Sequence, residues 1–387
     1  MLSQKLIVGG VLATALSASI HRVTAQTIDI DTLDRHWPAY IDLDQYMQPF
    51  LTADTIYNEL VMPLKDGHAA PSGGLLFPVR SVLSVRDTYL GIVYEEGKDW
   101  IWEGQRIVLT DSSNIPYLDN HDLVYSEVKE GISQPGFTPG TYVLFSEGEL
   151  IRSKQLAVTY VPDRRGGEAA KRLPPATDRL PHTTGKLGAG DKLHVVFWGN
   201  SIETGANSSG FQHVPPFMPN WAELFVRQLR RHFDAPVSYK NLAVGGKMAA
   251  WGLENINQVI AEQPDLLVIG FGMNDGSAGV PIDDFTKQIQ AIIDAVRHQQ
   301  PTCEFIVITP MLANPKAIQN KLQEAYRPAL LALAHTGVAI ADMTYWHKWL
   351  LVHKSYQDMT GNNINHTNDY LSRWYAQVLT ALFIENN

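Results

Sequence analysis

The feature that most constrains the fold of this 387-residue chain is a regular alternation of apolar runs and amphipathic segments after residue 190. Five short runs, among them "DLLVIGFG" and "EFIVITP", are almost continuously apolar, as are parallel strands that are covered on both faces. Between them lie segments such as "IDDFTKQIQAIIDAVRHQQ", in which apolar residues recur at helical spacing. Strands that alternate with helices predict a doubly wound, flavodoxin-like α/β sheet with helices on both faces. The segments "LENINQVIAEQ" and "KAIQNKLQEAYRPALLALAHT" each predict one such helix.

The first half of the chain has a different pattern. Short segments rich in Val, Ile, Tyr and Trp, such as "VRSVLSVRD" and "QLAVTYVPD", recur between about residues 73 and 163. Gly and Pro then cluster over residues 163–190, as in a connection between domains. We therefore expect a β-rich, sandwich-like domain with its linker over residues 27–185, and an α/β domain over residues 186–387.

The first 26 residues have the pattern of a secretory signal peptide. Lys5 precedes the apolar stretch "LIVGGVLATALSASI", and Val23 and Ala25 are small residues suited to cleavage. The apolar stretch is short for a membrane span, although an uncleaved anchor is the alternative. No second run approaches a spanning length, so we expect a secreted or periplasmic protein without a transmembrane segment in its mature chain.

Charge and cysteine content exclude several classes of function. The net charge of −9 and the lack of a basic stripe argue against a nucleic-acid partner. Cys303 is the only cysteine, which excludes an intrachain disulfide and a cysteine-based metal site. We expect neither a metal nor a cofactor.

Four residues with chemical potential lie where predicted strands end. Ser201 follows the first strand, Gly246 the second and Asn274 the third, while His366 precedes the last helix. The carboxyl ends of parallel strands are where open α/β folds place their active sites. Each residue taken alone has an ordinary explanation as a turn or surface residue, but their common position favours a single site.

The blocks around these residues resemble those of the SGNH/GDSL hydrolase superfamily. The similar blocks are "FWGNSIETG", "NLAVGG", "GMND" and "NHTND", and they cover about residues 190–387. A serine nucleophile needs a base, and His366 can take the proton of Ser201 and return it to a leaving alcohol. The backbone N–H groups of Ser201 and Gly246 and the amide of Asn274 would stabilise the oxyanion that forms when an ester is attacked.

The family's usual acid is missing. It lies three residues before the histidine, where this chain has Asn363. Either Asn363 orients the imidazole of a Ser–His pair, or another carboxylate supports His366. Asp342 and Asp358 are the candidates, and a cap or turn acid is the alternative for both, favoured for Asp358. Asn200 also stands where the family usually has Asp.

The loop after the nucleophile, "SSGFQHVPPFMPNW", carries His213, Phe217 and Trp221. Its position predicts that His213 contacts substrate, and a packed surface loop is the alternative.

These observations predict an exported esterase that removes acetyl or other short acyl groups from a carbohydrate or another small ester. Trp100, Trp102 and Trp346 are candidates for stacking on sugars, with core packing as the alternative. A lipase or lysophospholipase and an O-acyltransferase are the competing enzymes. A carbohydrate-binding protein without catalytic activity is the competing class, supported by Asn200 and Asn363.

Overall fold

The structure is a computed structural model that describes residues 36–164, 173 and 175–384. The predicted signal peptide, residues 1–26, lies outside the described residues, as do residues 165–172 and 174 of the predicted connection. Within the described ranges, no helix is long and apolar enough to cross a membrane.

The N-terminal part is built mainly from short strands, which confirms the β-rich prediction. Its strands are β1 (Ile56–Val61), β2 (Leu64–Lys65), β3 (Ser72–Gly74), β4 (Val79–Asp87), β5 (Val93–Tyr94), β6 (Trp100–Glu103), β7 (Arg106–Leu109), β8 (Leu118–Asp119), β9 (Val124–Tyr125), β10 (Ser133–Pro135), β11 (Tyr142–Leu144) and β12 (Leu156–Pro162). Its helices are α1 (Leu43–Tyr46), α2 (Asn120–Leu123) and α3 (Glu149–Arg152), after the 3₁₀ turn Trp37–Ala39. The strands form sheets in the orders β1-β12-β4-β5, β6-β7-β3-β2-β8 and β10-β11-β9, antiparallel except where β2 meets β8.

The C-terminal part alternates strands with helices, as expected. Its strands are β13 (Leu193–Gly199), β14 (Val237–Asn241), β15 (Leu266–Gly270), β16 (Glu304–Ile308) and β17 (Val338–Ala341). Its helices are α4 (Pro181–Ala189), α5 (Ser201–Thr204), α6 (Trp221–Phe233), α7 (Ala249–Glu254), α8 (Asn257–Glu262), α9 (Met273–Ala278), α10 (Ile282–Gln299), α11 (Arg327–Leu331), α12 (Met343–His353) and α13 (Asp369–Thr380). Two 3₁₀ turns, Glu324–Tyr326 and Tyr356–Asp358, belong to the same part.

The five C-terminal strands form one parallel sheet in the order β14-β13-β15-β16-β17. This is the doubly wound, flavodoxin-like order, whose switch point lies between the first and third strands of the unit. Successive side chains of β13 alternate between two cores: Val195 and Phe197 pack on one face, Val196 and Trp198 on the other. Both faces are therefore covered, and β13 and β15 end together at the switch point.

Two predicted helices are shorter than the sequence indicates. The segment 253–263 divides between α7 and α8, and the segment 316–336 is helical only in a 3₁₀ turn and α11. Proline lacks the N–H that a helix interior requires, so Pro328 is tolerated only at the start of a helix, and it lies at the start of α11. Apolar spacing over the whole segment was therefore a misleading indicator of one long helix.

The two halves of the chain share a hydrophobic core. One cluster of buried residues contains side chains of β1, β4 and β12 together with those of β13, α6 and α13. Phe50 stacks on Trp374 of α13 with ring centroids 5.1 Å apart. Gln377 of α13 accepts the backbone N–H of Phe50 at 3.0 Å. The division at residue 185 thus remains a prediction about the sequence, while packing joins both halves.

Candidate active site

The turn between β13 and α5 places Ser201 at the carboxyl edge of the sheet. Asn200 caps α5, and its Oδ1 accepts the N–H of Ile202 at 3.0 Å. Its Nδ2 donates to the carbonyl oxygen of Gly270, at the end of β15, at 3.1 Å. The asparagine therefore ties the serine-bearing turn to the neighbouring strand.

The buried side chain of Glu203 packs against the same turn. Its Oε2 accepts the N–H of Asn200 at 2.8 Å, and burial raises the pKa of its carboxyl to about 8. A Cβ on either Gly199 or Gly270 would overlap the Glu203 side chain. Glycine at the ends of both strands thus makes room for a buried carboxyl beneath the serine.

His366 lies beside Ser201, in the segment between the turn Tyr356–Asp358 and α13. Its Nε2 is 2.9 Å from Ser201 Oγ, and its side chain is 13 % exposed. The carbonyl oxygen of His366 accepts the N–H of Gly361 at 3.1 Å and the hydroxyl of Thr360 at 2.9 Å. The segment is thereby closed into a loop that presents the imidazole to the serine.

Two acceptors face the other imidazole nitrogen. His366 Nδ1 is 2.6 Å from Asn207 Oδ1 and 3.2 Å from Glu147 Oε2. An amide oxygen and an ionised carboxylate only accept, so Nδ1 carries the proton and Nε2 accepts from Ser201. Burial acts to raise the pKa of the Glu147 carboxyl, but its hydrogen bond to His366 and its electrostatic attraction to that side chain outweigh burial, so the pKa is lowered overall.

The structure does not bring the two predicted histidine partners to His366. Asn363 is buried, with its Oδ1 accepting from Gln357 at 2.8 Å and its Nδ2 donating to the Leu144 carbonyl at 2.8 Å. Asp342 caps α12 and forms an ion pair with Arg327 at 2.6 Å. Spacing along the chain was a poor guide because Asn363 turns away from the imidazole.

The second and third sequence blocks lie close to the nucleophile. A Cβ built on Gly245 would be 3.8 Å from Ser201 Cβ, which places this glycine turn against the serine. Gly246 has a φ of +76°, whereas a Cβ there would meet nothing within 4 Å. Its backbone conformation, and not a lack of space, accounts for glycine at this position. Asn274 Nδ2 donates to the Lys247 carbonyl at 2.9 Å, so the third block is joined to the second.

Asp275 holds the helix that carries Asn274. Its Oδ1 accepts the N–H of Ala249 at 2.8 Å and its Oδ2 that of Gly272 at 3.0 Å. Its side chain is fully buried, and burial raises its pKa. Asp275 therefore fixes α9 against α7 below the site.

The loop after the nucleophile is mostly packed. Trp221 is buried at the start of α6 and donates its indole N–H to the Ile202 carbonyl at 2.8 Å. Phe217 packs on the ring of His36, with centroids 5.1 Å apart. His213 is exposed and, within the described residues, makes no hydrogen bond to Ser201 or His366. Its predicted contact with substrate remains a proposal.

The tryptophans considered for sugar stacking are largely inside the protein. Trp100 and Trp346 are each 4 % exposed, and Trp102 is partly buried against the same core. Core packing therefore accounts for Trp100 and Trp346, whereas Trp102 packs on the core with only part of its side chain.

Three polar residues at the site were not found from the sequence: Glu147, Asn207 and Asn362. Asn207 lies six residues after Ser201 in "NSIETGANS", and Asn362 lies four before His366 in "NNINH". Only these short spacings were available as indicators. Glu147 belongs to the β-rich half and lies in no recognisable motif.

No group of three or more metal-ligating side chains occurs within the described part of the chain. Cys303 is buried, and burial raises the pKa of its thiol to about 12. Its thiolate is therefore scarce at neutral pH.

The C-terminal half has a flavodoxin-like parallel sheet with a serine and a histidine in contact at its switch point. This half of the chain is of the carboxylic ester hydrolase class. Residues 197–373, somewhat less than half of the chain, match the GDSL-like lipase/acylhydrolase family.

Several solved structures match part of the chain. A two-domain esterase active on acetylated mannans is 18% identical, with a TM-score of 0.43 and coverage of 54% of each chain. A lipase from a goat rumen metagenome is 14% identical, with a TM-score of 0.41 and coverage of 49% of this chain and 97% of that one. An acetylxylan esterase from Geobacillus stearothermophilus is 15% identical, with a TM-score of 0.40 and coverage of 48% and 91%. The chain spans about half the length of the two-domain esterase that it matches. A search of curated proteins finds no match.

Proposed function

We propose that the protein is an exported serine esterase that removes acetyl or other short acyl groups from a carbohydrate. The observation that carries the esterase proposal is the 2.9 Å separation between Ser201 Oγ and His366 Nε2. Hydrogen-bond contact between a hydroxyl and a neutral imidazole is the arrangement that a general base requires.

The reaction proceeds in two acyl transfers. Ser201 Oγ attacks the ester carbonyl while His366 Nε2 takes the hydroxyl proton, which gives a tetrahedral oxyanion and an imidazolium. The intermediate collapses, the imidazolium gives its proton to the leaving alcohol, and the acyl group stays on Ser201. Water then attacks the acyl-enzyme while His366 takes one of its protons, and on collapse the imidazolium gives that proton to Ser201 Oγ, which releases the carboxylic acid and restores the free serine.

Three donors are proposed for the oxyanion: the N–H groups of Ser201 and Gly246 and the side-chain amide of Asn274. Ser201 is the first residue of α5, where backbone N–H groups have no partner within the helix. Asn274 gives one N–H to the Lys247 carbonyl, and its NH₂ group has a second to offer. Donors fixed before reaction stabilise the developing charge without reorganisation.

Polar surroundings support a short acyl group and a hydroxylated alcohol. The side chains around His366 are those of Glu147, Asn207 and Asn362. A long fatty acyl chain would require apolar surface for its methylene groups, each contributing about 0.8 kcal/mol on burial. Asn207 and Asn362 are buried, whereas the Glu147 side chain is 51% exposed, so its carboxylate is the group here that suits the hydroxyl groups of a sugar.

Export is proposed from the first 26 residues, whose charge, apolar stretch and small residues are typical of a signal peptide. N-terminal sequencing of the protein recovered from the periplasm or culture medium tests this proposal. A mature chain beginning near residue 27 is expected, and an intact N-terminus on a cell-retained protein would contradict it.

Hydrolysis of p-nitrophenyl acetate tests the catalytic proposal. Ser201→Ala removes the nucleophile and should lower kcat by several orders of magnitude while the protein remains folded. Ser126→Ala, at an exposed position in the β-rich half, is the matched control and should be unchanged. A Ser201→Ala enzyme that keeps more than about a tenth of wild-type kcat would refute the assignment. Wild-type turnover no higher than that of the variant would favour a binding protein.

A series of aryl esters, run beside acetylated polysaccharides, tests the substrate. Acetyl esters should be cleaved faster than octanoyl esters, and acetate should be released from the polysaccharide. Preference for octanoyl would indicate a lipase, and transfer of acetyl to an added alcohol in place of water would indicate an acyltransferase.

A further inference from the structure

We propose that Glu147, a residue of the β-rich half, is the positioning carboxylate for His366, so that the site is completed by both halves of the chain. This inference rests on the proposed function, because it assigns the acid that supports the Ser201–His366 pair. It replaces Asn363 and Asp342, whose side chains are engaged elsewhere.

Both oxygens of the Glu147 carboxylate are directed at the histidine loop. Oε2 lies 3.2 Å from His366 Nδ1, and Oε1 accepts from Asn362 Nδ2 at 3.1 Å. Asn362 is fully buried, and its Oδ1 accepts the backbone N–H groups of Ile364, Asn365 and His366 at 2.9, 3.0 and 3.1 Å. One carboxylate thus holds the imidazole directly and the loop that carries it through Asn362.

The backbone of Glu147 is itself held from the hydrolase half. Its carbonyl oxygen accepts from Asn207 Nδ2 at 3.2 Å and from Gln212 Nε2 at 2.7 Å. On the other side of the segment, the Leu144 carbonyl accepts from Asn363 Nδ2 at 2.8 Å. These bonds on both sides fix the position of residue 147, although its side chain is 51% exposed.

Further out, Arg152 of α3 donates to the Asn207 carbonyl and lies 3.8 Å from the carboxylate of Asp369, which begins α13. The side chains of Arg152 and Asp369 are both buried, so their opposite charges compensate each other. Asp369 is thus paired with Arg152, and the carboxylate in hydrogen-bond contact with the imidazole is that of Glu147.

Asn207 and Glu147 have different functions at Nδ1. Asn207 Oδ1 is closer, at 2.6 Å, and fixes the ring by accepting its N–H. A neutral amide does not offset the charge that the imidazole acquires when it takes the serine proton, whereas a carboxylate within 4–6 Å does. Glu147 therefore supplies the negative charge that stabilises the imidazolium, and Asn207 fixes the orientation of the imidazole ring.

The test compares Glu147→Gln, Glu147→Asp and the exposed control Glu130→Gln in the aryl acetate assay across pH. Glu147→Gln should lower kcat/KM by about 10- to 100-fold and move the acidic limb of its pH profile down by about one unit, because a neighbouring negative charge favours the protonated base. Glu147→Asp keeps the charge at a slightly greater distance and should leave the limb near its wild-type position. A purely structural role would lower activity in both variants without separating their limbs.

The result that overturns the inference is a Glu147→Gln enzyme with the activity and limb of the Glu130→Gln control, or equal limbs in the Gln and Asp variants. Either result, obtained while Ser201→Ala is inactive, refutes the role of Glu147 alone. An active Ser201→Ala enzyme would instead refute the proposed function. Thermal melting of each variant shows that the comparison is made between folded proteins.

Discussion

Asparagine stands at two positions where the resemblance predicts aspartate, Asn200 and Asn363, and at a third position beside the site, Asn207. In each, the NH₂ group donates to a backbone carbonyl: that of Gly270 at 3.1 Å, Glu147 at 3.2 Å and Leu144 at 2.8 Å. A carboxylate has no hydrogen to donate, so aspartate would leave these carbonyl groups facing a negative charge. The departures from the family pattern are therefore explained by hydrogen bonding and need no loss of catalysis.

Glu203 makes stability depend on pH in an unusual direction. Burial raises its pKa to about 8, against about 4.3 in an unfolded chain, so the folded protein holds a proton that the unfolded chain releases between these values. The contribution of Glu203 to the free energy of unfolding is therefore fully present below about pH 4 and is lost as the pH rises toward 8.

Replacing Glu203 by Gln, which is neutral throughout, should remove this decline. Urea unfolding at pH 5, 6, 7 and 8 measures the free energy of unfolding of wild type and of Glu203→Gln. The difference between the two free energies should change by at most about 1.4 kcal/mol per pH unit. Parallel stability curves for the two proteins would show that the carboxyl is not neutral in the folded state.

The turn from β13 to α5 is the element on which the site is built, and Asn200 is its fixed point. Asn200→Asp should retain the cap of α5 but lose the hydrogen bond to Gly270, at a cost of about 1–3 kcal/mol for a buried group left unpaired. The expected result is a lower urea midpoint at pH 7 and a partial recovery at acidic pH, where the new carboxyl is protonated. Unchanged stability at pH 7 would mean that the Gly270 bond contributes little.

The elements of the hydrolase half were largely predictable. Buried parallel strands are continuously apolar, and Ser201, Gly246, Asn274 and His366 follow or precede elements at recognisable positions. The helix over residues 316–336 was predicted wrongly, since the apolar spacing spans the whole segment while the backbone is helical only in the turn Glu324–Tyr326 and in α11, which has Pro328 at its start.

The partners of His366 Nδ1 were not predictable in the same way. Glu147 is 219 residues from His366 along the chain, and a half-exposed glutamate between Ser146 and Gly148 looks like an ordinary loop residue. Its role depends on how the two halves pack, which local sequence patterns do not encode.

At the scale of the whole molecule, a buried charge cluster joins the two halves. Lys354, just after α12, lies 2.7 Å from Glu59 Oε1 of β1 and also donates to the carbonyls of Leu60 and Gly74 at 3.0 and 2.8 Å. Its side chain and that of Glu59 are both 0% exposed. Removing one member of such a pair leaves the other charge buried and unpaired.

Lys354→Met should therefore destabilise the protein by about 3–5 kcal/mol. Lys348→Met is the matched control, since Lys348 lies on α12 in an exposed pair with Glu324, for which about 1 kcal/mol or less is expected. Because both halves share one core, urea unfolding followed by tryptophan fluorescence and by circular dichroism should give one coincident transition in each protein. Two separated transitions would contradict the shared core, and equal losses in the two variants would contradict the role of the buried pair.

The contacts between the two ends of the chain also determine when folding can be completed. Phe50 and Tyr57 form hydrogen bonds with residues of α13 that lie 327 and 316 positions further along the chain. Met62 forms one with Asp358, in the turn Tyr356–Asp358, 296 positions further along. Contacts so distant in sequence require very large loops to close, and chains dominated by them fold slowly. The packing of the segment around β1 against α13 can therefore form only after α13 has left the ribosome.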